Sequence, residues 1–158
     1  MLGVEELTYI DVNETFEKAI SLFSNLDTIR IENECRGLAV LADSLLRQVF
    51  YNLVDNSLKY GEKVSRIWVH HEEVGTDQLK LIYEDDGVGV PFAEKPQLFK
   101  EGYGRGTGYG LFMIKRICEV YAWSIQETGE PGKGAQFTMT ISKANQEGKQ
   151  NYRLRHHF

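Results

Sequence analysis

The sequence predicts an α+β fold: a two-layer α/β sandwich whose mixed, mainly antiparallel sheet carries its helices on one face. Three observations lead there. Segments with the two-residue alternation of strands outnumber those with a 3.6-residue helical period. They run in the order β α β β α β β, a long loop, then α β β. Most strands therefore neighbour another strand in sequence, which favours hairpins over parallel crossovers.

The elements follow in order. Residues 7–12 read as a short strand, and Asn13 as an N-cap for a helix over 14–26, whose period is set by Phe16, Ala19, Ile20 and Phe23. Residues 28–33 alternate as a half-buried strand does, and 37–41 form a short apolar strand. Asp43 or Ser44 caps a long helix that Gly61 ends. Residues 66–71 and 79–83 make a hairpin around Gly75-Thr76-Asp77. Residues 85–105 are loop-rich. Thr107 opens a helix over 108–121 that turns Leu111, Ile114, Ile117 and Cys118 inward. Strands 124–128 and 136–142 close the chain around a turn at 130–134.

At 158 residues, the chain is expected to hold one domain over 1–143 and a polar, disordered tail over 144–158. The net charge of −5 argues against a dedicated nucleic-acid binder, because phosphate backbones require a basic surface. Cys35 and Cys118 lack partners at metal-ligand spacing and are expected to be reduced core residues. No apolar run reaches the length of a membrane span, and no signal peptide opens the chain, so a cytoplasmic domain without direct membrane contact is expected.

Three segments carry chemistry. The long helix places Asn52, Asn56, Lys59 and Tyr60 at i, i+4, i+7 and i+8, on one face. Leu46, Val49, Phe50 and Leu53 form an apolar stripe beside them. Carboxamide oxygen is a hard ligand for magnesium and lysine suits phosphate, although a merely solvated amphipathic face has the same pattern. Next, Asp85-Asp86-Gly87-Val88-Gly89 ends a strand in acids and two glycines. A carboxylate there can accept from an exocyclic amine, and glycine permits close approach; an ordinary Asp-Gly turn is the alternative. Finally, five alternating glycines, at 102, 104, 106, 108 and 110, precede a helix and surround Arg105. Their amides suit an anion, although the loop is neither a P-loop nor a dinucleotide fingerprint.

In this order the segments resemble the GHKL superfamily of gyrase B, heat-shock chaperones, histidine kinases and MutL. The match is closest to the ATP-binding catalytic domain of sensor histidine kinases. The asparagine helix resembles that family's N box, residues 85–89 its D-x-G-x-G box, and Gly106-Thr107-Gly108-Tyr109-Gly110-Leu111 its G-T-G-L-G-L box. Residues 127–137 resemble its closing turn.

The resemblance implies a Bergerat-type fold that binds ATP and Mg²⁺. It implies Asn56 as metal ligand, Lys59 on phosphate, Tyr60 beside the nucleoside and Asp85, rather than Asp86, on the adenine amino group. Gly87 and Gly89 would give the base clearance. Arg105, Gly106, Thr107, Gly108, Gly110 and Leu111 would wrap the phosphates. Asn52 stands where the hydrolytic branches carry a catalytic glutamate, which favours a kinase; Asn52 and Lys59 are the implied catalytic residues. The γ-phosphate would pass to a histidine on a separate dimerisation domain, and from there to a response regulator. An anti-sigma-type serine/threonine kinase, or a pseudokinase acting as a nucleotide-gated module, shares the fold.

The sequence departs from the pattern in its short lid and in Ala135, where a hydroxyl residue is usual. It also lacks a phosphoacceptor segment: His70 and His71 lie in a strand pattern, and His156 and His157 in the tail.

Overall fold

The structure, a computed structural model, describes residues 6–103 and 109–155. Eight strands and three α-helices are present among them: β1 (Thr8–Asp11), α1 (Val12–Ile20), β2 (Arg30–Asn33), β3 (Leu38–Ala42), α2 (Leu46–Tyr60), β4 (Arg66–Val74), β5 (Gln78–Asp85), α3 (Gly110–Val120), β6 (Ser124–Glu127), β7 (Gln136–Ser142) and β8 (Tyr152–Leu154). A 3₁₀ turn, Phe92–Gln97, interrupts the long loop.

The main sheet has the order β2-β4-β5-β7-β6. Only β2–β4 is parallel in it; the other pairs are antiparallel, so the mixed two-layer architecture is as expected. Its register explains which face is covered. Val69, Tyr83, Phe137 and Glu127 lie in one cross-strand row, and all four are buried. The neighbouring row aligns Leu81, Met139 and Ile125, also buried. Side chains alternate between faces along a strand, so these odd-numbered positions form one apolar surface. Phe16 of α1, Phe50 and Leu53 of α2, and Ile114 and Ile117 of α3 complete the same core. Phe16 and Phe50 meet edge to face at 5.3 Å.

Tertiary packing moved several boundaries. Asp11, not Asn13, caps α1, its Oδ1 accepting from the Glu14 amide at 2.9 Å. The helix stops at Ile20 rather than 26. Phe23 and Leu26 still reach the core, but from irregular turns, with Phe23 stacked on Tyr51. Their spacing therefore imitated a helix. The N-cap of α2 is Leu45, with no side-chain cap, rather than Asp43 or Ser44; Asp43 Oδ1 accepts from the Leu45 amide and from the Tyr121 hydroxyl, the latter at 2.5 Å.

The expectation of a disordered tail over 144–158 is corrected as far as residue 155. Residues 152–154 form β8, which pairs antiparallel with β3 and completes a second sheet, β1-β3-β8. Tyr152 is buried opposite Val40, and Arg153 stacks its guanidinium on the Tyr9 ring at 3.6 Å. So short and polar a strand has no period of its own; β3 supplies its template from over a hundred residues away.

The two cysteines are free and buried, as expected, and burial pushes each thiol up to about 12. His70 pairs with Glu84 inside the sheet at 2.5 Å, and burial lowers the half-buried His71, so both are strand residues. His156 and His157 lie outside the described residues. No described helix is long and apolar enough to cross a membrane.

Candidate functional site

The buried edge of α2, Leu46, Val49, Phe50, Leu53 and Val54, fixes the helix against the core. That leaves its other edge facing a cavity of about 990 Å³. Asn52, Asn56, Lys59 and Tyr60 all line this cavity, together with Gly89, Gly110 and Leu111. Val90, Leu98, Met113 and Ile117 give it an apolar portion. The result is a deep cleft with polar groups along one wall and greasy surface beyond, the usual composition of a small-molecule site.

Both ends of the Asn52 carboxamide are engaged. Its oxygen accepts from Gln48 Nε2 at 2.7 Å, and its nitrogen donates to the Gly110 carbonyl at 3.1 Å. Asn52 therefore joins the helix to the start of α3, where the glycine-rich segment ends. Lys59 pairs with Asp55, one turn back, at 2.9 Å. That hydrogen bond and the Asp55 charge raise the ammonium above its ordinary value, so it stays charged. It remains solvent-exposed and open to a phosphate.

Asp85 does not line the cavity. It is buried at the end of β5, beside the inner edge of α2. Its Oδ1 accepts from the amides of Gly87 and Ala135, at 2.9 and 3.1 Å. Its Oδ2 accepts from the Ser57 hydroxyl at 2.6 Å, and Ser57 Oγ lies 2.8 Å from the phenol of Tyr83. Asp86 faces the other way: it accepts from the Ser65 hydroxyl and from the amides of Ser65 and Arg66, fixing the start of β4. Partial burial alone would raise its carboxyl, but those three donors outweigh it and hold it below the usual carboxylate value. The two adjacent acids thus bind different parts of the fold: Asp85 joins α2 to the closing turn, and Asp86 holds the start of β4.

Two glycine contacts explain the spacing of the motifs. A Cβ on Gly87 would lie 2.6 Å from the Gly61 carbonyl oxygen, so the end of α2 seats directly on the turn after β5. The clearance at Gly87 is therefore taken by protein backbone, and Gly87 itself does not line the cavity. Gly134, at φ +126°, would place a Cβ 1.9 Å from the Asp85 carbonyl oxygen. The closing turn that looked weak in sequence is what locks the Asp85 strand end. Arg105, Gly106, Thr107 and Gly108 lie outside the described residues.

Sequence reasoning missed Ser57, Tyr83 and Gln48. A signal existed for Ser57: it continues the buried stripe of α2 after Leu53, and a hydroxyl at a core position needs a partner.

The family described as "Histidine kinase-, DNA gyrase B-, and HSP90-like ATPase" matches residues 42–145, from the end of β3 to just past β7. The chain belongs to that family. Several of the chain's relatives are sensor kinases, among them the circadian input-output histidine kinase CikA of Synechococcus elongatus. The phytochrome-like protein Cph1 of Synechocystis is 31% identical over 89% of this chain and 20% of its own length. The sensor histidine kinase YkoH of Bacillus subtilis is 30% identical over 77% of this chain and 28% of its own. The chain therefore spans less than a third of these proteins. Among solved structures, the catalytic domain of the histidine kinase ThkA superposes with a TM-score of 0.75 at 25% identity, covering 89% of this chain and all of that one. The Asp85 hub, the α2 wall and the closing turn are thus parts of an ATP-binding catalytic domain of the histidine-kinase type.

Proposed function

We propose that this domain binds Mg²⁺-ATP in the α2 cleft and presents the γ-phosphate to a histidine on a separate helical dimerisation domain, from which a response regulator takes it. The observation that carries the proposal is the single wall of α2, on which Asn52, Asn56, Lys59 and Tyr60 project into one cavity beside the Asp85 hub. Asp85 is the acceptor for the adenine amino group, and the apolar part of the cleft receives the base.

The donor set fits magnesium only together with a nucleotide. Among the described residues no cluster of three His, Cys, Asp or Glu side chains could hold a metal. Asn56 offers one neutral carboxamide oxygen, so phosphate oxygens must supply most of the coordination, as is common for this ion. When bound, the ion neutralises charge on the phosphates. Lys59 adds an ammonium, exposed at the cavity wall. Phosphoryl transfer depends mainly on such positioning and charge compensation. Asn52 is an amide rather than an acid, which leaves no side-chain base at that position to activate water; a donor that waits for a protein acceptor is the result. Lys59 and Asn52 are the catalytic residues in this reading.

Thermal melting with ATP, with Mg²⁺ and with both tests it. Expected is a rise in Tm that needs both together, because a ligand bound only to the folded state stabilises it. No ATP-dependent rise would overturn the proposal.

A further inference from the structure

We infer that the hydroxyls of Tyr83 and Ser57 form a positioning relay that holds Asp85 as an acceptor for the 6-amino group of adenine, and so set base specificity. The inference rests on the nucleotide reading above and adds residues and a selectivity to it.

The direction of the relay follows from hydrogen counts. A carboxylate can only accept, so the one hydroxyl hydrogen of Ser57, 2.6 Å from Oδ2, goes to Asp85. Ser57 Oγ must then accept, and Tyr83, 2.8 Å away, donates to it. Tyr83 is fully buried, and burial lifts its phenol well above the ordinary value, so the donor keeps its hydrogen. The Gly87 and Ala135 amides occupy Oδ1. Three of about four acceptor positions on the carboxylate are then filled, and one on Oδ2 has no donor among the described residues. Every donor to it in the structure is neutral. Ala135 contributes only an amide to this hub; Ser57 brings the hydroxyl from the opposite side, on α2. A 6-keto base turns a second acceptor toward Asp85 and leaves both groups unpaired, which is how buried polar sites reject analogues.

The test titrates the intact chain with Mg²⁺-ATP and Mg²⁺-ITP, for wild type, S57A, S57T, Y83F and D85N, with the Tm of each variant to confirm folding. Expected is a wild-type preference for ATP. S57A loses about ten-fold in ATP affinity with ITP little changed, so the preference shrinks. Y83F moves the same way by about three-fold, and S57T keeps the preference. If S57A does not fold, Y83F, which retains Ser57 and the ring, carries the test. Equal weakening of both nucleotides in S57A and Y83F, or no change in either, overturns the relay. D85N losing the preference while S57A and Y83F keep it overturns the relay alone. A wild type that binds neither nucleotide overturns the underlying reading instead.

Discussion

Two buried carboxylates flank the closing turn between β6 and β7, and they are completed differently. Glu127, at the end of β6, accepts through Oε2 from the amides of Gly129 and Gln136, and its Oε1 pairs with Lys95 of the 3₁₀ turn. Lys95 also donates to the Gly129 carbonyl at 2.7 Å. Asp85, at the end of β5, accepts two amides as well, but its third donor is the neutral Ser57 hydroxyl. The first acid is matched by a cation and ties the segment after the Asp85 loop to the sheet. The second, among the described residues, is met by neutral donors alone. A buried acid with a matching ammonium is a fastening; under the function proposed above, the one with neutral donors alone is the acceptor for adenine. The difference lies in one partner, not in burial, since both side chains are nearly inaccessible.

Four measurements break or sharpen this contrast. The largest effect is expected from E127A, which strands the Lys95 ammonium in a largely buried place: about 3–5 kcal/mol of stability lost in denaturant unfolding. The paired replacement K95M/E127L should recover most of that loss, and a double variant as unstable as E127A would deny the fastening. Next, D85N should weaken ATP binding about 100-fold, equivalent to roughly 3 kcal/mol, while leaving Tm far less altered than E127A does. Unchanged affinity in calorimetric titration would mean that Asp85 is a structural acid like Glu127.

Third, D86A should cost about 1 kcal/mol at neutral pH, since three donors lose their acceptor, with ATP affinity retained. The Asp86 carboxyl is held below its ordinary value in the folded chain, so its stabilising contribution is present above the unfolded-state value and is lost as pH falls through the lower, folded one. The Tm gap between wild type and D86A should therefore close only in strong acid; a gap that widens on acidification reverses the sign and rejects the assignment. The smallest effect is expected from Q48A. Freeing the Asn52 oxygen should alter ATP affinity by about three-fold at most, with stability unchanged, because that hydrogen bond is exposed. A tenfold loss would move Gln48 into the binding machinery.

Legibility followed the range of the interactions. The stripe of Asn52, Asn56, Lys59 and Tyr60 depends on helical period alone, and it reached the cavity wall intact. The choice of Asp85 over Asp86 rested on motif position; the hydrogen bonds of Asp86 to Ser65 and Arg66 tie that acid to the start of β4. Helix α1 was drawn too long because Phe23 and Leu26 reach the core from turns. β8 was missed because its pairing with β3 is remote in sequence. Gly87 was assigned clearance for a ligand, whereas the neighbour that needs the space is Gly61.

The sequence by itself determined the α+β class, the family and the polar edge of α2, because alternation, helical period and motif order are local properties of the chain. Only the tertiary structure decided which acid is paired with a cation and which is met by neutral donors. Ser57, Gly87 and Ala135 donate to Asp85 from α2, the turn after β5 and the closing turn, as Lys95 reaches Glu127 from the 3₁₀ turn. A carboxylate's role is set by the donors that converge on it, and that convergence exists only once strands and helix have packed.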